Sequence, residues 1–297
     1  MYHDPVLLKE SIEGLNISSE GIYVDATYGG GGHSKAILSQ LQGGRLFAFD
    51  QDSDAQENVS DDKRMVFINQ NFKYLKNFLL LHQVESVDGI RADLGVSSHQ
   101  FDKAERGFST RFSSPLDMRM SKLQTHTAAD IVNTYDEARL NKLLKLYGEL
   151  PNSYQLARTI VNRREIAPFQ TTDELVGSVE KYFPVNKKNK SLAMLFQALR
   201  IEVNDELGAL KELLAQSVDV LKKGGRLVVI SYHSLEDRLV KNFMKTGNFE
   251  GVLKQDFYGN KMVPLRAINS KPIIPGEEEI EKNNRARSAK LRIAEKL

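Results

Sequence analysis

Cysteine is absent from the 297-residue chain. That excludes disulfides, thiolate-bound zinc and cysteine nucleophiles, and it fits a reducing, cytoplasmic setting. Long hydrophobic runs are missing too: nothing approaches the roughly 18 consecutive apolar residues of a membrane helix. The opening Met1-Tyr2-His3-Asp4-Pro5 lacks the basic start and apolar segment of a secretory signal. Charge of one sign is also lacking, since 41 Lys and Arg face 39 Asp and Glu for a net charge of +2. Any nucleic-acid footprint must therefore be local. No His pair at i, i+4 beside acids suggests a metal site, so none is expected. What remains, 41% hydrophobic and 27% charged residues, is the composition of a globular protein long enough for one large domain or two ordinary ones.

The richest stretch runs from Tyr23 to Ser34 (Tyr-Val-Asp-Ala-Thr-Tyr-Gly-Gly-Gly-Gly-His-Ser). A strand-like run ends in an acid, four glycines follow, and a helical pattern starts at Ser34. Strand, glycine turn and helix is how open α/β folds bring backbone close to a nucleotide-like ligand. Further strands are expected at 45–50, 65–69 and 87–94, separated by helices at 34–41, 53–59 and 73–81. Such alternation implies βαβ units and a parallel sheet. The rhythm stops between 103 and 190, where helices are expected at 136–147, 153–163 and 172–182. We read 103–190 as an inserted helical domain, with 1–102 and 191–297 forming the sheet domain. Long helical material (191–221), a fifth strand (225–231), a helix N-capped by Ser234 and a last strand (289–294) complete the chain.

Spacing tests the glycine loop. A dinucleotide fingerprint starting at Gly29 or Gly30 needs glycine where Ser34 or Lys35 stands, and a phosphate-binding loop needs Gly-Lys-Ser/Thr where the order is Ser34-Lys35. Both fail. S-adenosylmethionine carries no phosphate and needs only close backbone approach and an acid for its ribose. Asp50, at the end of the second strand, supplies that acid; a helix cap or solvated turn is the alternative. Phe72, after the third strand, either flanks an adenine or caps the sheet core. Asp25, Asp50 and Asp93 each end a strand and are expected to converge on one crevice outside the carboxyl ends of the sheet. Their negative field suits a sulfonium and an ammonium group. An oxidoreductase and a non-catalytic RNA-binding protein are the competing classes. The failed dinucleotide spacing argues against the first, and the intact glycines and acids against the second.

Blocks spread over the whole chain carry a more specific resemblance. They include His3-x-Pro5-Val6-Leu7-Leu8-Lys9-Glu10, 25–34, 93–100 (Asp-Leu-Gly-Val-Ser-Ser-His-Gln), 105–109 (Glu-Arg-Gly-Phe-Ser) and 115–120 (Pro-Leu-Asp-Met-Arg-Met). Others are 196–207 (Phe-Gln-Ala-Leu-Arg-Ile-Glu-Val-Asn-Asp-Glu-Leu), 231–238 (Ser-Tyr-His-Ser-Leu-Glu-Asp-Arg) and 284–288 (Asn-Arg-Ala-Arg-Ser). With them the chain resembles the bacterial ribosomal RNA small subunit methyltransferase H family. The resemblance implies a class I S-adenosylmethionine-dependent methyltransferase, a Rossmann-like, mostly parallel α/β sheet with an inserted helical domain for substrate recognition. It implies methylation of N4 of a cytidine (position 1402) in 16S ribosomal RNA, at the decoding region of the small subunit. It implies cofactor contacts at Gly31, Gly32, His33, Asp50, Phe72, Asp93 and Gln100. The chain departs from the family at Arg91, usually apolar, and at His99, usually proline. Arg91 inside a buried strand is expected to pair with a neighbouring acid.

Attack by a cytosine amine on an activated methyl group needs mainly alignment and a proton acceptor. Asp93 and His233, each at a strand end, are the candidate catalytic groups. The target base must leave its stack, and phosphates of the flanking RNA need cations. Arg106, Arg111, Arg119, Arg158, Arg163, Arg164, Lys187, Lys188 and Lys190 lie in or beside the insert, and Arg285, Arg287 and Lys290 form a second cluster. The partner expected is 16S RNA within the small subunit, with no membrane role. A homo-oligomer is compatible with everything above.

Overall fold

A computed structural model describes residues 5–111 and 113–297; His3, which opens the first quoted block, lies outside them. The chain divides into two compact units: Met1–Gly95 with Leu207–Leu297, and Val96–Glu206.

The first unit is built on seven strands: β1 (Ile22–Asp25), β2 (Arg45–Phe49), β3 (Met65–Ile68), β4 (Val87–Asp93), β5 (Leu221–Ser231), β6 (Leu265–Ala267) and β7 (Lys290–Lys296). Their order across the sheet is β3-β2-β1-β4-β5-β7-β6. The first five pair in parallel, while β7 runs antiparallel to both β5 and β6. Because Val24 registers with Phe47 on one side and Ile90 on the other, alternate residues share a face of the pleat. One face places Val24, Phe47, Phe49, Ile90, Leu227 and Val229 against Leu75 and Leu79 and against Leu210, Leu213 and Leu214. The opposite face places Tyr23, Leu46, Val228 and Ile230 against Ile12 and Leu15 of helix Leu8–Leu15 and Ile37 and Leu38 of helix Gly32–Gln40. Burying each such side chain contributes about 1.5–3 kcal/mol, so the strands read as near-continuous apolar runs. Strand order reverses direction between β1 and β4. In open α/β sheets that switch point is where ligands sit, outside the carboxyl ends of the strands.

The second unit is helical. Its helices Ala128–Thr134, Glu137–Leu146, Ser153–Arg164, Thr172–Val179 and Lys188–Asn204 enclose a separate core including Ile131, Leu143, Leu156, Ile160, Leu175, Leu195 and Leu199. This unit is wider than the 103–190 expected from the loss of strand rhythm. Val96 and Phe101 pack against its core at one end. At the other, helix Lys188–Asn204 buries Leu192, Leu195, Phe196 and Leu199 in it. The helical stretch expected at 191–221 is in fact two helices. Asp205, at φ +48°, ends the first in a left-handed cap, and Glu206–Val220 starts anew; the unit boundary falls there.

Two local expectations also change. The segment after β2 is a 3-10 helix, Ser53–Asn58, capped by the Asp52 side chain. The helix after β5 begins at Ser234, so His233 is its N-cap residue, and no side chain caps it.

Candidate active site

The loop after β1 is shaped by close approach. Gly31 sits at φ +76° as N-cap of helix Gly32–Gln40, and a Cβ on it would lie 2.6 Å from the Tyr28 hydroxyl. A Cβ on Gly32 would lie 2.3 Å from Pro5 Cγ. Neither position has room for a side chain, and a residue with one would also be strained at the first. No side chain caps this helix, so the loop presents bare backbone, the type of surface that suits a polar ligand at a helix start.

Asp50, directly after β2, is tied to this loop. Its Oδ2 accepts a hydrogen bond from the Gly29 amide at 2.7 Å, and its Oδ1 accepts from the Asp52 amide at 2.9 Å. Crowding by the surrounding protein raises its pKa from the ordinary 3.8 to about 6, against the lowering influence of those two amides. Each oxygen keeps a lone pair for a further donor. Asn69 Nδ2 donates to the Asp50 carbonyl at 2.9 Å, joining the ends of β2 and β3. Phe72 follows in the 3-10 turn Phe72–Tyr74, part-buried and packed on the sheet core.

The end of β4 is organised differently. Arg91, expected to seek a nearby acid, finds two. Its Nη1 lies 2.9 Å from Asp25 Oδ1 and its Nη2 lies 2.9 Å from Asp93 Oδ2. The guanidinium and Asp25 are sealed, at 1% and 0% side-chain exposure, whereas Asp93 keeps 23%. Asp25 also accepts from Ser34 Oγ at 2.7 Å and from the Thr27 amide at 3.2 Å. This corrects the expectation of three acids converging on a crevice. Asp25 is an internal counter-ion, and an internal cation offsets much of the anticipated negative field. A buried charge persists only when paired in this way. Asp93 Oδ1 accepts the Tyr232 hydroxyl at 2.8 Å, and the Asp93 amide donates to Thr27 Oγ1 at 2.7 Å. Burial pushes the Asp93 carboxyl above its ordinary value, and Arg91 and then Tyr232 oppose that. Burial, followed by the Asp93 charge, holds the Tyr232 hydroxyl well above 10, so it remains a donor.

His33 is buried beside the same guanidinium. Its Nε2 lies 3.2 Å from the Val6 carbonyl and 3.4 Å from Arg91 Nη2. Burial and then Arg91 push the ring well below 6.5, so it is neutral at physiological pH. His233 lies with Nε2 3.2 Å from Glu236 Oε1, and among the described residues neither ring nitrogen has a hydrogen-bond partner. Glu236 is buried, and its other oxygen accepts from the Tyr232 amide at 3.0 Å.

Gln100 belongs to the helical unit. It is the third residue of helix Ser98–Asp102, and its Oε1 accepts from the Ser97 amide at 3.0 Å in a capping box. Its carbonyl is thus committed to a helix start. The cations expected to face RNA separate into two kinds. Arg106 donates to the Arg119 and Met120 carbonyls, Arg119 clasps Asp117, and Arg164 donates to the Val132 and Tyr135 carbonyls. Arg163 donates to the Ala167 carbonyl, Lys188 pairs with Glu180, and Lys290 pairs with Asp237. Arg111, Arg158, Lys187, Lys190, Arg285 and Arg287 are exposed. Thr27 and Tyr232 escaped sequence reasoning. Thr27 follows the strand by two residues, which is a usable signal; nothing marked Tyr232 as the partner of Asp93.

The strand order, with β7 alone reversed, is the sheet of class I S-adenosylmethionine-dependent methyltransferases, and this chain is one of them. Residues 1–297 match the model of the MraW methylase family. The chain belongs to that family. It is 58% identical over 296 residues to the Ribosomal RNA small subunit methyltransferase H of Bacteroides thetaiotaomicron, covering 99% of this chain and 97% of the relative. It is 58% identical over 297 residues to the protein of that name from Flavobacterium johnsoniae, covering 100% and 98%. Among solved structures, an rRNA methylase from Streptococcus thermophilus aligns with a TM-score of 0.42 at 13% identity, covering 98% of this chain and 93% of that one. Among the described residues, no helix is long and apolar enough to cross a membrane.

Proposed function

We propose that this methyltransferase modifies the exocyclic N4 of a cytidine in the decoding region of 16S ribosomal RNA, at position 1402, acting in the cytoplasm on the small subunit. One observation carries the reading: near-full-length identity of 58% to relatives named for small-subunit ribosomal RNA. The absence of cysteine agrees with it, because carbon-5 methylation of cytosine by covalent attack needs a nucleophile this chain lacks.

In this reading Gly31 and Gly32 bring backbone against the methionine portion of S-adenosylmethionine, with neutral His33 behind them. Asp50 accepts the ribose hydroxyls, and Phe72 lies along the adenine. Asp93 takes the ammonium group or orients the target amine, and Gln100 contributes through its amide end. The bound cofactor supplies an activated methyl group. That methyl group would pass to the N4 lone pair, leaving S-adenosylhomocysteine, and one N4 proton would leave to a base. Asp93 and His233 are the two candidates: both Asp93 oxygens already accept donors, and His233 is buried at both ring nitrogens with Nε2 3.2 Å from Glu236 Oε1. Alignment supplies most of the acceleration, about 7–11 kcal/mol in favourable systems. Helices of the second unit help position the RNA, with Arg111, Arg158, Lys187 and Lys190 meeting phosphates.

The test is direct. The protein is incubated with labelled S-adenosylmethionine and either naked 16S RNA or small subunits from a strain lacking the enzyme, and the modified nucleoside is mapped. N4-methylcytidine at a single site is expected. Label on carbon 5 or on a purine overturns the reading. RNA binding is expected to weaken steeply with salt.

A further inference from the structure

A guanidinium with 1% side-chain exposure in the middle of a parallel sheet is unusual, because such strands otherwise bury only apolar side chains. Every group around it belongs to one arrangement. Asp25 comes from β1, Asp93 from its own strand, His33 from the helix after the glycine loop and Tyr232 from the end of β5. The Thr27 carbonyl and hydroxyl oxygens each lie 3.3 Å from Nη1. Among the described residues, Nε alone has no partner. The fork is bidentate across two strands: one arm on a sealed acid, the other on an acid that reaches the surface. The planar geometry fixes the direction of both.

We propose that Arg91 is a positioning residue for cofactor binding: a built-in counter-ion that holds the Asp93 carboxylate ionised and fixed in direction before S-adenosylmethionine arrives. Without the guanidinium, Asp25 and Asp93 would share a crowded site with no cation. Two carboxylates so placed cannot both ionise easily, and one takes up a proton. A protonated Asp93 loses its attraction for the ammonium end of the cofactor. Arg91 removes that dependence, and Thr27 and Tyr232 complete the cradle. This rests on the reading of Asp93 as a cofactor contact.

The experiment measures binding of S-adenosylhomocysteine by calorimetry from pH 5.5 to 8.5 on the full chain, for wild type, Arg91→Leu, Arg91→Lys and Arg91→Gln. Leucine is the conservative choice for folding, being the residue type a buried strand favours, and glutamine keeps a polar fork without charge. An opposite charge within a few ångströms typically moves a carboxyl by about one to three pH units. The pH below which affinity falls should therefore rise by about one unit or more in the leucine and glutamine variants, roughly a tenfold loss near pH 6 relative to wild type. Lysine should restore most of the wild-type profile. A folded leucine or glutamine variant whose profile overlays the wild type overturns the proposal. So does failure of both neutral variants to fold by circular dichroism, which makes Arg91 a residue of the fold alone. If wild type itself does not bind S-adenosylhomocysteine, the underlying site assignment fails instead, and the two failures are distinguishable.

Discussion

The carboxyl ends of β2 and β4 look alike in sequence and differ in electrostatics. Each strand leads into an aspartate, Asp50 and Asp93, and both fall in the same unit. Among the described residues Asp50 has only backbone amides as donors, and crowding raises its pKa to about 6. Asp93 has an internal cation at 2.9 Å and a phenol at 2.8 Å. The first acid gains a strong partner only from a ligand; the second has one already. One strand end is thus poised and the other pre-set, a difference no reading of strand-end acids alone would show.

The largest expected effect removes the anchor of the pre-set end. Asp25→Ala leaves Arg91 buried with one of its two acids, and breaking such a buried pair typically costs about 3–5 kcal/mol. The melting temperature measured by circular dichroism should fall by many degrees. A loss of under about 1 kcal/mol would mean the guanidinium is not held as described.

Next in size is the poised end. Asp50→Asn removes an ionised acceptor, and a hydrogen bond to a charged group is worth about 1.5–3 kcal/mol. Affinity for S-adenosylhomocysteine should drop roughly ten- to a hundredfold in calorimetry. The sign of the pH effect follows from the raised value. Folded Asp50 holds its proton up to about pH 6, whereas the unfolded chain releases it near 3.8. The folded state therefore binds more protons across that window, and its contribution to stability declines as pH rises through it. In wild type, ligand affinity should weaken as pH falls through about 6. A variant that binds as tightly as wild type would falsify the ribose role.

The smallest effect probes the cradle of Asp93. Tyr232→Phe deletes the 2.8 Å donor, but Asp93 is partly exposed and water replaces it. A stability loss of about 1 kcal/mol is expected from chemical denaturation. A much larger loss would show that the phenol, rather than Arg91, carries the site.

Much of the fold was legible. Strands β1 to β5 lie within a few residues of the apolar runs that announced them, because a doubly covered parallel strand is mostly apolar along its length. Strand β6 was missed: three residues, Leu265–Ala267, are too few to show a period. The helical unit Val96–Glu206 extends beyond the 103–190 over which strand rhythm lapses. Helix Lys188–Asn204 has the same pattern whichever core it serves, and only packing of Leu195 and Leu199 assigns it. The cations expected to face RNA are of two kinds for a related reason. Arg106 and Arg164 are as basic in sequence as Arg111, and only the carbonyls around them reveal that they are structural.

By itself the sequence determined the strand–glycine–helix start, the ligand class that its spacing allows, and the family, because these depend on residue types at fixed separations along the chain. Tertiary structure alone decided how the acids are partnered. Asp25 and Arg91 are 66 positions apart and Asp93 and Tyr232 are 139 apart. The charge state of a carboxylate depends on which groups surround it in space and how much water reaches it. Local patterning cannot encode that, so the division between a sealed counter-ion, a fixed acid and a poised one appeared only once the strands were side by side.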